Sequence, residues 1–238
     1  MENNIYGYNP EREVRESSMT FPALMSKVYL WMTLALVTTG LTAYYVATNE
    51  SILYAMVNQP SIMFGLMIAE LALVIFLSAR IMKMSFTTAS ISFIIYSILN
   101  GATLSLILMA YTMESIATTF FVTAGTFGAM SLVGIFTKKN LSTMGRFLFM
   151  ALIGLLIATI VNVFVASTAF SWVLTYAGVI IFCGLTAYDT QRMKEILMNS
   201  EYYGESNMLK IALLCSLSLY LDFINLFLYL LRIFGNRE

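Results

Sequence analysis

The sequence predicts an all-α polytopic membrane protein, a bundle of seven transmembrane helices. Three observations carry this. The 238 residues are 59% hydrophobic and only 11% charged, with a mean hydropathy of +0.81, which leaves too little polar surface to coat a water-soluble globule. Seven apolar stretches follow one another along the chain, each of about 20 residues and long enough, at about 1.5 Å per residue, to cross a hydrocarbon core of about 30 Å. They lack the alternating polarity over about ten residues that marks a barrel strand, so helices must satisfy the backbone within each span.

Taken in order, residues 1–26 carry Glu2, Glu11, Arg12, Glu13, Arg15 and Glu16. With no short apolar core followed by a small-residue cleavage site, they read as a cytoplasmic N-terminal tail rather than a removable signal peptide. Residues 27–238 then form the seven-helix transmembrane domain. Its first span, 28–48, serves as the insertion signal. The second, 61–79, follows Pro60, the last of the three prolines, so no later span is interrupted by one. The third, 89–111, carries Asn100 at mid-span. The fourth, 116–136, has Gly125 and Ala129, and the fifth, 147–167, has Gly154 and Ala158 followed by Asn162. Small residues four apart let helix backbones approach, so these faces are expected at helix contacts, and the two asparagines are expected to bond between helices. The sixth span, 172–189, and the seventh, 211–234, flank the longest loop, about 190–210, in which Gly204 and its polar neighbours suggest a turn. Cys183 and Cys215 fall inside spans and read as small buried side chains. Two cysteines without a histidine do not make a zinc set.

Lysine and arginine sort by side. The tail holds Arg12, Arg15 and Lys27; the second loop Arg80 and Lys83; the fourth Lys138, Lys139 and Arg146; the sixth Arg192, Lys194 and Lys210. The first, third and fifth loops have none, and only Arg232 and Arg237 remain at the far end. Positive loops stay inside. The expected topology is therefore multi-pass in a cell inner (plasma) membrane, with the N-terminus cytoplasmic and the C-terminus outside.

The chemistry concentrates in Asp189 and Asp222. A carboxylate within a span costs roughly 2.5–3.5 kcal/mol on insertion scales, so packing alone seldom explains one. Cys215, Ser218, Asp222, Asn225, Tyr229 and Arg232 recur at helical spacing and share one face of the seventh span, a face that must turn to the bundle or to a wet cavity. Thr186 precedes Asp189 by one turn and extends the polar surface of the sixth span. Antiparallel packing of the two spans brings the acids to similar depth. Two carboxylates close together in a low-dielectric setting resist double ionisation, can share one proton, and titrate as a unit. In a chain without histidine, this pair is the natural pH-sensing element; a singly protonated pair that only holds the two helices together fits the same residues. Glu70 lies midway along the second span. Arg80, near its cytoplasmic end, fits either a topology anchor or a partner that reaches Asp189.

The motif GLTAYDTQ at the end of the sixth span, followed by SLSLYLDFINLFLYLLRIFG in the seventh, resembles the Bax inhibitor-1 family of transmembrane Bax inhibitor motif proteins, and the short tail and loops resemble its bacterial branch. The resemblance implies a seven-helix bundle of the Bax inhibitor-1 type and a pH-sensitive calcium leak in which Asp189 and Asp222 form the sensor and line the ion pathway. It further implies that Arg80 latches the pathway by pairing with the acid of the sixth span, and that Glu70 supplies a cation-attracting oxygen. Calcium would be the permeant ion, not a cofactor. It suits carboxylate and carbonyl oxygens with flexible coordination, although the residues themselves leave protons and other cations open.

Enzymes are disfavoured. Intramembrane aspartyl proteases place Tyr-Asp on one helix and an aspartate on the next, as Tyr188, Asp189 and Asp222 do. Their GxGD form is missing, however, with Leu219, Tyr220 and Leu221 preceding Asp222, and no proline follows Pro60. Serine intramembrane proteolysis needs a histidine base, and a retinal Schiff base needs a lysine inside the last span, where Lys210 stands only at the edge. The remaining alternative is a non-transporting stress-regulatory protein that binds another membrane protein, such as a protease. No nucleic-acid partner is expected, and the lipid bilayer is the constant one.

Overall fold

Helix starts are set by local chemistry. Pro60 occupies the first turn of a helix, where its missing N–H costs nothing. Asn49, Ser85 and Thr112 each accept a hydrogen bond from the backbone N–H three residues on, closing the starts of three others. The computed structural model describes residues 21–198 and 205–236. Among them are eight α-helices: α1 (Phe21–Thr48), α2 (Glu50–Asn58), α3 (Pro60–Arg80), α4 (Phe86–Leu108), α5 (Met113–Phe136), α6 (Ser142–Val165), α7 (Thr168–Met198) and α8 (Glu205–Phe234). All but the nine-residue α2 are long and apolar enough to cross a membrane, so α7 is the sixth span and α8 the seventh. The chain is an all-α polytopic membrane protein.

Three features differ from the sequence expectation. Helix α1 begins at Phe21, inside the stretch assigned to the tail, because Leu24 and Met25 are buried and belong to the core. The extra helix α2 fills the first loop. Most of the expected 190–210 loop is helical, α7 running on to Met198 and α8 starting at Glu205; charged residues at the end of a membrane helix mark where it leaves the bilayer, not where it stops. The suggested turn at Gly204 and the charges before Phe21 lie outside the described residues.

Helix α8 is the axis of the bundle. It packs against α1, α4, α5 and α7, and Leu213, Leu217, Tyr220, Leu226 and Leu231 along it are almost wholly buried. Helix α6 packs on α7, and α3 on α4, at the periphery. Because lipid tails are as apolar as leucine, close backbone approach decides which helices touch. At Gly134 of α5 a Cβ would run into the Ala187 carbonyl of α7, and at Gly145 of α6 it would strike the Tyr188 ring. The faces expected to do this mostly do not: Gly125, Ala129 and Gly154 are exposed, and a Cβ at Gly125 or Gly154 would meet nothing, whereas Ala158 is partly buried and packs against the core. Four-residue spacing is common to buried and lipid-facing small residues, and spacing alone does not say which face turns inward. Asn162 does bond between helices, donating to Ser171 Oγ at 2.6 Å, beside the left-handed Ala166 that ends α6.

Candidate functional site, a buried acid pair between two helices

Helices α7 and α8 run antiparallel. Gly178 meets Tyr229, and eleven residues further along α7 Asp189 meets Ser218, eleven residues earlier on α8. Ser218 Oγ donates to Asp189 Oδ2 at 2.6 Å, a charge-assisted length when the acid is ionised. One turn on, the Asp222 carboxyl lies within hydrogen-bonding reach of Asp189. Asp222 is 6% exposed, and its Oδ2 is buried without a partner among the described residues. A buried polar atom left unpaired is costly and calls for a proton, a water or an ion.

The pair lines an open cleft of about 1220 Å³ bordered by α6, α7 and α8, with Leu71 of α3 and the exposed Phe147 and Met150 of α6 on its rim. Its polar lining includes Arg146, Arg192, Ser218 and Asn225 beside the two aspartates. Asn225 donates to the Leu221 carbonyl within its own helix, which leaves its amide oxygen outside that bond. The rest of the α8 polar line continues outward, with Tyr229 stacked on Phe182 and Arg232 exposed. Thr186 is placed differently from expectation: it is fully buried and its hydroxyl bonds the Phe182 carbonyl one turn back, so it supports its own helix rather than the acids.

Glu70 belongs to another cluster. It accepts from Thr103 Oγ1 at 2.5 Å and bonds Asn100. Asn100 Oδ1 accepts from the Tyr220 hydroxyl at 3.1 Å, which also meets Thr39 Oγ1 at 2.7 Å. This chain of polar groups joins α3, α4, α8 and α1 through the core. Arg80 is exposed at the end of α3. The positive charge that acts on Asp189 is Arg192, three residues on. On a sixth span that ends at Asp189, Arg192 reads only as a loop charge; on the continued helix its three-residue spacing puts it one turn away. Arg146 and Tyr220 were missed as well; a tyrosine in an apolar run carries no spacing signal.

An all-helical seven-span bundle with two acids facing one another on the wall of an intramembrane cavity defines a polytopic membrane protein with an ionisable centre between its last two spans. Comparison with known proteins agrees with the motifs. The family model described as inhibitor of apoptosis-promoting Bax1 matches residues 22–238. Inner membrane protein YbhL of Escherichia coli K12 is 51% identical over 214 residues, covering 90% of this chain and 92% of its own. An uncharacterised protein of Deinococcus radiodurans is 42% identical over 214 residues, 90% of each chain, and one of Borreliella burgdorferi is 39% identical over 216 residues, 90% of this chain and 92% of its own. The chain belongs to the Bax inhibitor-1 family.

Proposed function

We propose that the protein is a pH-sensitive calcium leak channel in which Asp189 and Asp222 act together as sensor and as part of the ion pathway. The observation that carries this is the unpartnered Asp222 oxygen beside Asp189, on the wall of a cavity large enough for hydrated ions. Removing or adding one proton changes the charge of the pair, and with it the attraction for a cation and the repulsion between α7 and α8. Among the described residues no group of three or more histidine, cysteine or acidic side chains could hold a metal. Two carboxyls with the Ser218 hydroxyl and the Asn225 amide oxygen nearby suit a cation in passage better than a resident one.

Glu70 would draw cations toward α3 and α4. Arg80 would latch the closed state by pairing with Asp189; Ser78, two residues before it, already lines a cavity with Asp189, so the latch requires the end of α3 to move inward. No enzymatic activity is assigned. The lysine and arginine distribution and the inner-membrane description of the Escherichia coli relative support an inner membrane location with the N-terminus in the cytoplasm. Reconstitution of the folded protein into liposomes with an enclosed calcium reporter tests the proposal: calcium should enter down its gradient at a rate that changes with pH. Folded protein without flux would favour a stress-regulatory role exercised through a membrane protein partner.

A further inference from the structure

The peripheral helices leave one side of α8 uncovered. Helix α3 packs on α4 and α6 on α7, and the cleft of about 1220 Å³ opens with Leu71 of α3 on one side and α6 on the other. Leu71, Phe147, Met150 and Leu156 along it are exposed, and Leu221 of α8 lies half-buried beneath them. Such a lining is as apolar as lipid tails, so the length of the cleft is open sideways to acyl chains.

One end of the cleft is basic. Arg146 and Arg192 are both exposed and line it, with Thr143, where α6 begins. Helix packing brings them together: Gly145 of α6 seats against Tyr188 of α7, so Arg146 follows that contact by one residue and Arg192 by one turn. Arg192 also acts on Asp189, one turn deeper, whereas α6 has no acid to answer Arg146. Guanidinium groups pair with phosphate oxygens, and basic pockets between membrane helices take anionic lipid headgroups. We propose that the cleft binds one anionic phospholipid, its phosphate held by Arg146 and Arg192 and an acyl chain laid along α6 over Leu221. The two ends of the cleft match the two ends of the lipid. The groove of about 840 Å³ between α1 and α5 lacks this match, because no charged residue lines it. Asp189 and Asp222 lie deeper than the arginines, and a hydrocarbon chain over them favours a shared proton over two charges. Lipid binding of this kind does not depend on the leak.

The test uses the full chain in mild detergent, after gel filtration shows each variant folded. In native mass spectrometry with equimolar phosphatidylglycerol and phosphatidylcholine of the same chains, wild type should retain one phosphatidylglycerol in preference. Arg146→Gln with Arg192→Gln should lower the retained fraction several-fold. Lys138→Gln with Lys139→Gln, which removes two charges outside the cleft, should leave it near wild type. No preference in wild type, equal loss in the two double variants, or a lipid-free pair of chains would overturn the site. Placement of the chain is read by quenching. Leu148 of α6 meets Gly184 of α7, so Met150 in the cleft and the exposed Ile180 outside it stand at similar depth. In a Trp31→Phe, Trp172→Phe background, Met150→Trp and Ile180→Trp are placed in phosphatidylcholine vesicles containing a small fraction of chain-brominated phosphatidylglycerol. Met150→Trp should be quenched several-fold more strongly; equal quenching would overturn the proposal.

Discussion

Ser218 on α8 donates to Asp189 on α7 at 2.6 Å, so the helix that carries the second acid also orients the first. Ser218→Ala should destabilise the protein by roughly 1.5–3 kcal/mol, as loss of a hydrogen bond to a charged group does. A donor favours the ionised acceptor, so the loss should be full where Asp189 is ionised and shrink as pH falls and the acid protonates. Denaturant unfolding of both proteins in detergent across pH checks this, with a pH-independent difference as the contrary result.

Glu70 is tied to Thr103 and Asn100 in a cluster that does not include the acid pair. Glu70→Gln keeps the shape and removes the charge. The leak should fall several-fold at every pH while its pH profile keeps its midpoint. A moved midpoint would make Glu70 part of the sensor.

Arg80→Ala should increase the leak most at higher pH, where an ionised Asp189 is able to pair with the arginine. Flux unchanged across the pH range would reduce Arg80 to a topology anchor.

Gly134→Val places side-chain atoms against the Ala187 carbonyl, two residues before Asp189. Overpacking of this kind costs roughly 1–3 kcal/mol. The same change at Gly125, where nothing is within reach of a Cβ, should leave unfolding close to wild type. Equal effects at the two positions would contradict the helix contacts described for α5.

Span number and the meeting of Asp189 with Asp222 were legible in the sequence because both follow from strong physical constraints. Long apolar runs must cross as helices, and intramembrane acids must turn inward. The side of α8 that lines the cavity could be read because Ser218, Asp222 and Asn225 keep helical spacing, although the same line ends on the exposed Arg232. What could not be read was set by contacts rather than composition. Gly134 and Gly125 stand on the same helix with the same residue type, and only the position of α7 makes one a contact and the other a lipid-facing residue. Thr186 shares the polarity expected near an acid, yet an intrahelical carbonyl satisfies it first. Arg192 was hidden by ending the span at its last apolar residues, although α7 continues for about two and a half turns past Asp189.

The central claim is that the acid pair makes the protein's conductance respond to pH, and calcium flux through liposomes containing wild type or Asp222→Asn tests it most directly. Wild type should leak calcium at a rate that changes with pH. Asp222→Asn, with gel filtration and unfolding like wild type, should lose most of that response because the asparagine cannot share a proton with Asp189. Asp189→Asn should behave in a related way. A wild-type pH profile in folded Asp222→Asn would contradict the account.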